Sequence, residues 1–160
     1  MGLKALIMFF LKNAHKDLGR TELMKYIYLF EYHYFQLYGS KYTDLVFERY
    51  KFGPNQSAVV DTTYELELEG LIEIKPYKNY YDGTSYGHHC LNPDYDEYNL
   101  DANSELVASF VVDTLWNKNY RGVLDIAYNT PPMREILEEE SRSGTYLYGR
   151  VIDMSKSVPI

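Results

Sequence analysis

Three adjacent side chains, His88, His89 and Cys90, form the only run in the 160-residue chain with metal-ligand chemistry. In an extended segment His88 and Cys90 project to one face and His89 to the other. Two ligands then converge where a structural zinc site wants four. No CxxC or HxxxH spacing supplies the remainder, so the expectation is an ordinary strand with no metal and no cofactor. The 23 acidic residues offer many carboxylate pairs for acid–base work, but none stands out by its spacing. Glu138, Glu139 and Glu140 sit at the end of a helix, where the dipole disfavours negative charge, and read as a solvated, fraying terminus. Walker A, HExxH and GxGxxG patterns are missing. Cys90 lacks the helix N-terminus that would activate a thiol. The residues therefore predict no catalytic group and no enzyme.

What they do offer is contact chemistry. Eighteen tyrosines are dense in three places: Tyr26 to Tyr38, the segment with Tyr77, Tyr80, Tyr81 and Tyr86, and Tyr95 with Tyr98. Tyrosine brings large contact area at little rotamer cost, so exposed clusters make good protein-binding anchors. Sixteen Lys+Arg against 23 Asp+Glu leave a net charge of −7. That sum speaks against a generic nucleic-acid or anionic-membrane binder, which needs clustered cations. The charge is uneven. Residues 1–51 carry +3, residues 52–100 carry −7 and residues 101–160 carry −3, so a partner steered to the middle third is expected to be basic.

The elements that position these residues follow from periodicity. Leu3, Leu6, Ile7, Phe10, Leu11 and Ala14 form a helical stripe. Met8 and Phe9 lie off it, so this helix is either wrapped by the fold or pressed against a second copy as a homodimer. The apolar run Leu3 to Leu11 is far short of a membrane span, and no cleavage site follows it; a cytoplasmic protein is expected. A second helix, capped by Thr21 and stopped at Gly39, has apolar or aromatic residues on two flanks and reads as central. Period two from Asp44 to Lys51 sets Leu45, Phe47 and Arg49 against Val46, Glu48 and Tyr50, a strand ended by Gly53-Pro54. A third helix runs from about 56 to 69, capped by Asn55 or Ser57 and closed by Gly70. A hairpin over 71–91, turning at Asp82-Gly83, completes a winged-helix-like β-element. Helices are then expected over 104–118, with Phe110 on the inner face, over 122–128 and over 132–140. The fold class is α+β, mainly α, as one domain over 1–143 with a C-terminal tail over 144–160. One cysteine allows no internal disulfide framework and fits a reducing compartment.

A winged layout raises DNA binding as the alternative function. The third helix would be the reader, yet it carries Asp61, Glu65, Glu67 and Glu69 and no cation, whereas base reading needs Arg, Lys, Asn or Gln. A mildly basic corner of Lys12, Lys16, Arg20 and Lys25 is the feature that keeps this alternative open.

Four fragments in order carry a resemblance: TELMKYIYLFEYHYFQLYG, YKFGPNQSAVVDTTYELELEGLIE, the hairpin, and LDIAYNTPPMREIL. Together they resemble the Panacea domain, the SocA-like antitoxins, over roughly residues 5–140. Lys25, Tyr28 and Glu31 fall on that family's helical motif. Tyr50, Lys51, Gly53 and Pro54 fall on its Gly-Pro turn, Gly70 and Leu71 on its helix-ending motif, and Pro131 and Pro132 on its late proline pair. Gln56 stands where the family has a second proline, and Met133 replaces its tryptophan. The resemblance implies a non-enzymatic antitoxin-like domain of a bacterium or phage. It would neutralise a partner toxin by direct association, or by presenting it to a protease complex. The candidate partner-binding residues are Asp61, Tyr64, Glu65 and Glu69 on the acidic helix, Tyr77, Tyr80 and Tyr81 on the wing, and Met133 with Arg134.

Overall fold

Ten consecutive residues, Leu23 to Tyr32, are buried, and they form the middle of one helix, α2 (Arg20–Tyr38). A helix buried around its whole circumference must lie inside the fold, in line with the two apolar flanks read from its sequence. The structure is a computed structural model, described over residues 2–81 and 83–156. Gly39 ends α2 in the left-handed region (φ 71°), its N–H donating to the Phe35 carbonyl at 2.8 Å. The N-cap is Gly19, not Thr21.

Around α2 pack α1 (Gly2–Asn13), α4 (Ala102–Leu115) and α5 (Tyr120–Tyr128), and α6 (Pro131–Ser143) packs on α5. Leu6, Ile7, Met8 and Phe10 of α1 have no exposure, and the Phe10 ring meets Tyr26 edge to face at 5.3 Å. Each such side chain contributes about 1.5–3 kcal/mol relative to its exposed state. The oily first helix is thus enclosed by its own chain. Its apolarity is accounted for without the second copy that the sequence left open.

The β-structure forms two sheets. Strands β4 (Ile72–Lys78) and β5 (Thr84–Cys90) pair antiparallel from Ile72↔Cys90 to Lys78↔Thr84, and β5 also pairs with a two-residue strand, β1 (Leu18–Gly19). The hairpin is where the sequence places it, although Asp82 of its turn lies outside the described residues. The expected strand over 44–51 is shorter and belongs elsewhere: β2 (Glu48–Tyr50) pairs with β3 (Gly53–Asn55) and not with the hairpin, so Gly53-Pro54 continues the sheet. Gly53 (φ 95°) makes the tight reversal. Upstream of β2, the backbone of Tyr42 and Thr43 is satisfied by a side chain, the Glu31 carboxylate, instead of a ladder.

The alternation is nonetheless as read, and the structure decides its sides: Phe47 and Arg49 are buried, while Val46 and Tyr50 are exposed. Helix α3 (Ser57–Leu68) is capped by Gln56, whose side chain accepts from the Ala58 N–H at 3.2 Å. Gly70 follows at φ 78°. Beyond α6 the chain returns along β2. Arg49 N–H donates to Arg150 at 2.8 Å, Ile152 N–H donates to Phe47 at 2.9 Å, and Ile152 and Met154 are buried.

Candidate partner-binding surface and its scaffold

The motif residues of α2 act as tie-points, reaching β3, the entry to α6 and the loop before β2. Lys25 Nζ donates to the Pro54 carbonyl at 2.8 Å from a nearly sealed site. Burial pushes this amine down to about 7, with the charge on Arg49 as the lesser cause. Tyr28 meets Thr130 at 2.7 Å. Thr130 Oγ1 gives its own proton to the Ala127 carbonyl, so the tyrosine is the donor to Thr130. That bond fixes the entry to Pro131-Pro132, the first residues of α6. Glu31, with no exposure, accepts from the N–H groups of Tyr42 and Thr43 at 3.1 and 2.8 Å and from the Thr43 hydroxyl. Burial raises its pKa, and these donors work against the rise.

A second tie is an ion pair. Arg49 and Glu140 are both buried and meet two-pronged, Nε to Oε2 at 3.0 Å and Nη2 to Oε1 at 3.2 Å. Glu140 Oε2 also accepts the Leu147 N–H at 2.8 Å. This corrects the reading of Glu140 as part of a solvated terminus: it is the anchor for the tail. The shared strand parity of Arg49 and Phe47 is the signal that the arginine is internal, though it does not name the partner.

The candidate contact residues divide. Tyr80 and Tyr81, at the hairpin tip, are 96% and 87% exposed and meet edge to face at 5.3 Å. Tyr77 is half exposed beside them. Helix α3 packs on β4 and presents Asp61, Tyr64, Glu65 and Glu69 outward. Arg20 bridges α3 to the hairpin: Nη2 donates to Tyr64 Oη at 2.7 Å, and the guanidinium lies over Tyr86 at 4.2 Å.

The acidic face is partly neutralised. Lys4 pairs with Glu69 at 2.9 Å and Glu65 at 3.5 Å, and holds the Glu69 carboxyl below its ordinary range. Glu67 turns inward to accept the Ile74 N–H at 2.8 Å.

Met133 is a correction. It is wholly buried, in the hydrophobic core, and cannot meet a partner; Arg134 beside it is exposed. The basic N-terminal corner is dispersed as well. Lys12 donates to the Tyr95 carbonyl at 2.7 Å, Lys16 pairs with Glu22 at 2.9 Å, and Lys25 is internal.

Two surface features escape the sequence reading. Phe110, expected inward, is 53% exposed, with Leu106 one turn earlier at 70%. Tyr146, Tyr148 and Tyr50 stack in sequence, at 5.2 and 6.4 Å between ring centres. The alternation of Tyr146 and Tyr148 was the available signal. The run Gly83-Thr84-Ser85-Tyr86-Gly87 also carries the G-x-S-x-G spacing of a nucleophile elbow. The structure places Ser85 inside β5 with its hydroxyl accepting from Asn79 at 3.0 Å, not on the strand-to-helix turn which that chemistry needs.

Among the described residues no group of three or more His, Cys, Asp or Glu is placed to hold a metal. His88 Nδ1–H donates to the Leu18 carbonyl at 2.8 Å, and burial lowers the pKa of the ring. No helix among these residues is long and apolar enough to cross a membrane.

The ordered ties on α2, the Gly-Pro turn and the Pro-Pro entry to α6 coincide with a family model, antitoxin SocA-like, Panacea domain, which matches residues 23–132. The chain belongs to this family. No curated protein and no solved structure matches it. Within this Panacea domain, Lys25, Tyr28, Glu31, Gly53, Pro54, Pro131 and Pro132 hold the scaffold together. The exposed tyrosines of the hairpin lie outside that internal network.

Proposed function

We propose that this Panacea domain is a non-enzymatic antitoxin that binds its toxin directly, with the hairpin tip as the anchor. The observation that carries the reading is the exposure of Tyr80 and Tyr81, a ring pair at the end of a hairpin whose base is held between β1 and α3. Two bulky rings left in water at the tip of a supported strand pair suit insertion into a pocket on another protein. Tyr64 and Tyr77 extend the contact, and Asp61 and Glu65 are rim charges. Asp61, Glu65 and Glu69 against Lys4 sum to −2, a weak field for a basic toxin.

The test is co-expression with the protein encoded by the neighbouring reading frame. Growth arrested by that protein alone is restored by this chain and is not restored by the Tyr80→Ala/Tyr81→Ala variant. Rescue by a variant still folded but lacking both rings would reject the tip as anchor. A neighbour that is harmless when expressed alone would reject the antitoxin role. Depletion of the neighbour during rescue, reversed in a protease-deficient host, would show presentation to a protease instead of masking.

A further inference from the structure

A cleft of about 270 Å³ opens between the first turns of α2, the β2–β3 turn and α3. Arg20, Lys25 and Lys51 line it, and among the described residues no Asp or Glu does. In a chain of net charge −7 this concentration of one sign is unexpected. Among the described residues, moreover, none of the three cations belongs to an ion pair, whereas Lys4, Lys16, Arg49 and Arg150 all do.

Two of the three are also under-used as donors. Lys25 is 97% buried and spends one of its three protons, on the Pro54 carbonyl. Arg20 Nε is buried without a partner, although Nη2 is engaged by Tyr64. A buried N–H of a cation left without an acceptor is costly, and such groups ask for an explanation. An anion seated in the cleft supplies one. Arg20 and Lys51, with Lys25 half protonated near pH 7, still exceed what one carboxylate can offset. A phosphate monoester, carrying about −1.5 to −2 near pH 7 with three acceptor oxygens, matches them better. At the rim, Tyr50 and Phe52 are half exposed, and both line the same cleft. Ring faces next to a phosphate site suit a planar base, which stacks on aromatics without needing a fixed pattern of hydrogen bonds. Asn55, also in the lining, offers both a donor and an acceptor to such a ring.

We propose that this cleft binds a small phosphate monoester bearing a planar ring, the chemistry of a nucleoside monophosphate. Arg20, Lys25 and Lys51 hold the phosphate, and Tyr50 and Phe52 flank the ring. The site is separate from the hairpin tip, so its fate does not depend on the antitoxin reading.

The experiment is a titration of the full chain, followed by amide chemical shifts and calorimetry, with adenosine monophosphate, inorganic phosphate and a capped Glu-Glu peptide. Adenosine monophosphate saturates at or below about 1 mM, moves the amides of residues 20–25 and 50–55, and is displaced by phosphate. Lys51→Gln, at an exposed position, and Lys25→Met each weaken it at least about fivefold. Tyr50→Ala/Phe52→Ala weakens it without changing phosphate affinity. Equal affinity for phosphate and adenosine monophosphate would overturn the ring subsite. Saturation by the acidic peptide alone would overturn the phosphate chemistry, and no saturable shift with any of the three would overturn the site.

Discussion

The guanidinium of Arg49 and the carboxylate of Glu140, 91 residues apart, meet face on in the interior of the chain. Arg49 also lies over the rings of Tyr128 and Tyr148, at 5.5 and 5.3 Å, and donates to the Tyr50 carbonyl. One pair thereby joins β2, α5, α6 and the returning tail.

Removing one partner leaves the other charge buried and alone. Glu140→Gln or Arg49→Met is expected to cost about 3–5 kcal/mol in denaturant unfolding. The double variant, Arg49→Met with Glu140→Met, costs less than the sum of the two single losses. Glu138→Gln, on the exposed side of the same helix, changes stability by less than about 0.5 kcal/mol. Equal losses at 138 and 140 would return Glu140 to the solvated terminus that its sequence context suggests.

Lys25 predicts a pH dependence of the same sense as acid denaturation, displaced to the neutral and alkaline range. Its amine is pushed down to about 7 in the folded chain, and an unfolded lysine titrates near 10.4. Between those values the unfolded state holds a proton that the folded state has lost, so stability rises with pH across that window. Below pH 7 both states are protonated and this contribution to the slope vanishes. Unfolding free energies at pH 6, 7, 8 and 9 should climb after pH 7 in the native chain and lose that climb in Lys25→Met. The variant is expected to gain about 1–3 kcal/mol at pH 7, after the lost bond to Pro54 is counted. A variant with an unchanged slope would assign it to another group.

Glu31 tests the tie-point account. Glu31→Ala strands the N–H groups of Tyr42 and Thr43 and should cost about 2–4 kcal/mol. Amide exchange should accelerate over residues 40–46 before it does in α2. Uniform acceleration through α2 would mean that the carboxylate supports the helix and not the loop.

How much of this was legible beforehand divides by range. Elements whose signals are local were readable: the stripe of α1, Gly39 after α2, and the paired strands on either side of Asp82-Gly83. Parity placed Arg49 beside Phe47. The sequence does not say that residue 49 finds residue 140, because that meeting depends on the tail folding back along β2. Gly53-Pro54 reads locally as a strand end, but the chain reverses there and β3 pairs straight back on β2. Phe110 was misplaced because α4 carries apolar residues on more than one side, and periodicity alone does not choose among them. The acidic face of α3 was overstated for a similar reason: Lys4, 65 positions from Glu69, sits against it.

That offset gives a prediction for binding rates. Because Lys4 cancels part of the field of Glu65 and Glu69, association with a basic partner should slow only modestly from 50 to 500 mM salt, by about tenfold or less. Lys4→Gln should steepen the salt dependence and raise the low-salt rate. A native rate independent of salt would remove the steering role of Asp61, Glu65 and Glu69.

The most direct test is calorimetric titration of this chain with the purified product of its neighbouring gene, native against Tyr80→Ala/Tyr81→Ala, with unfolding curves confirming that both are folded. The account predicts saturable one-to-one association and a loss of at least about thirtyfold in affinity for the double variant. Undiminished affinity without the two rings, or no association of the native chain at all, would contradict it.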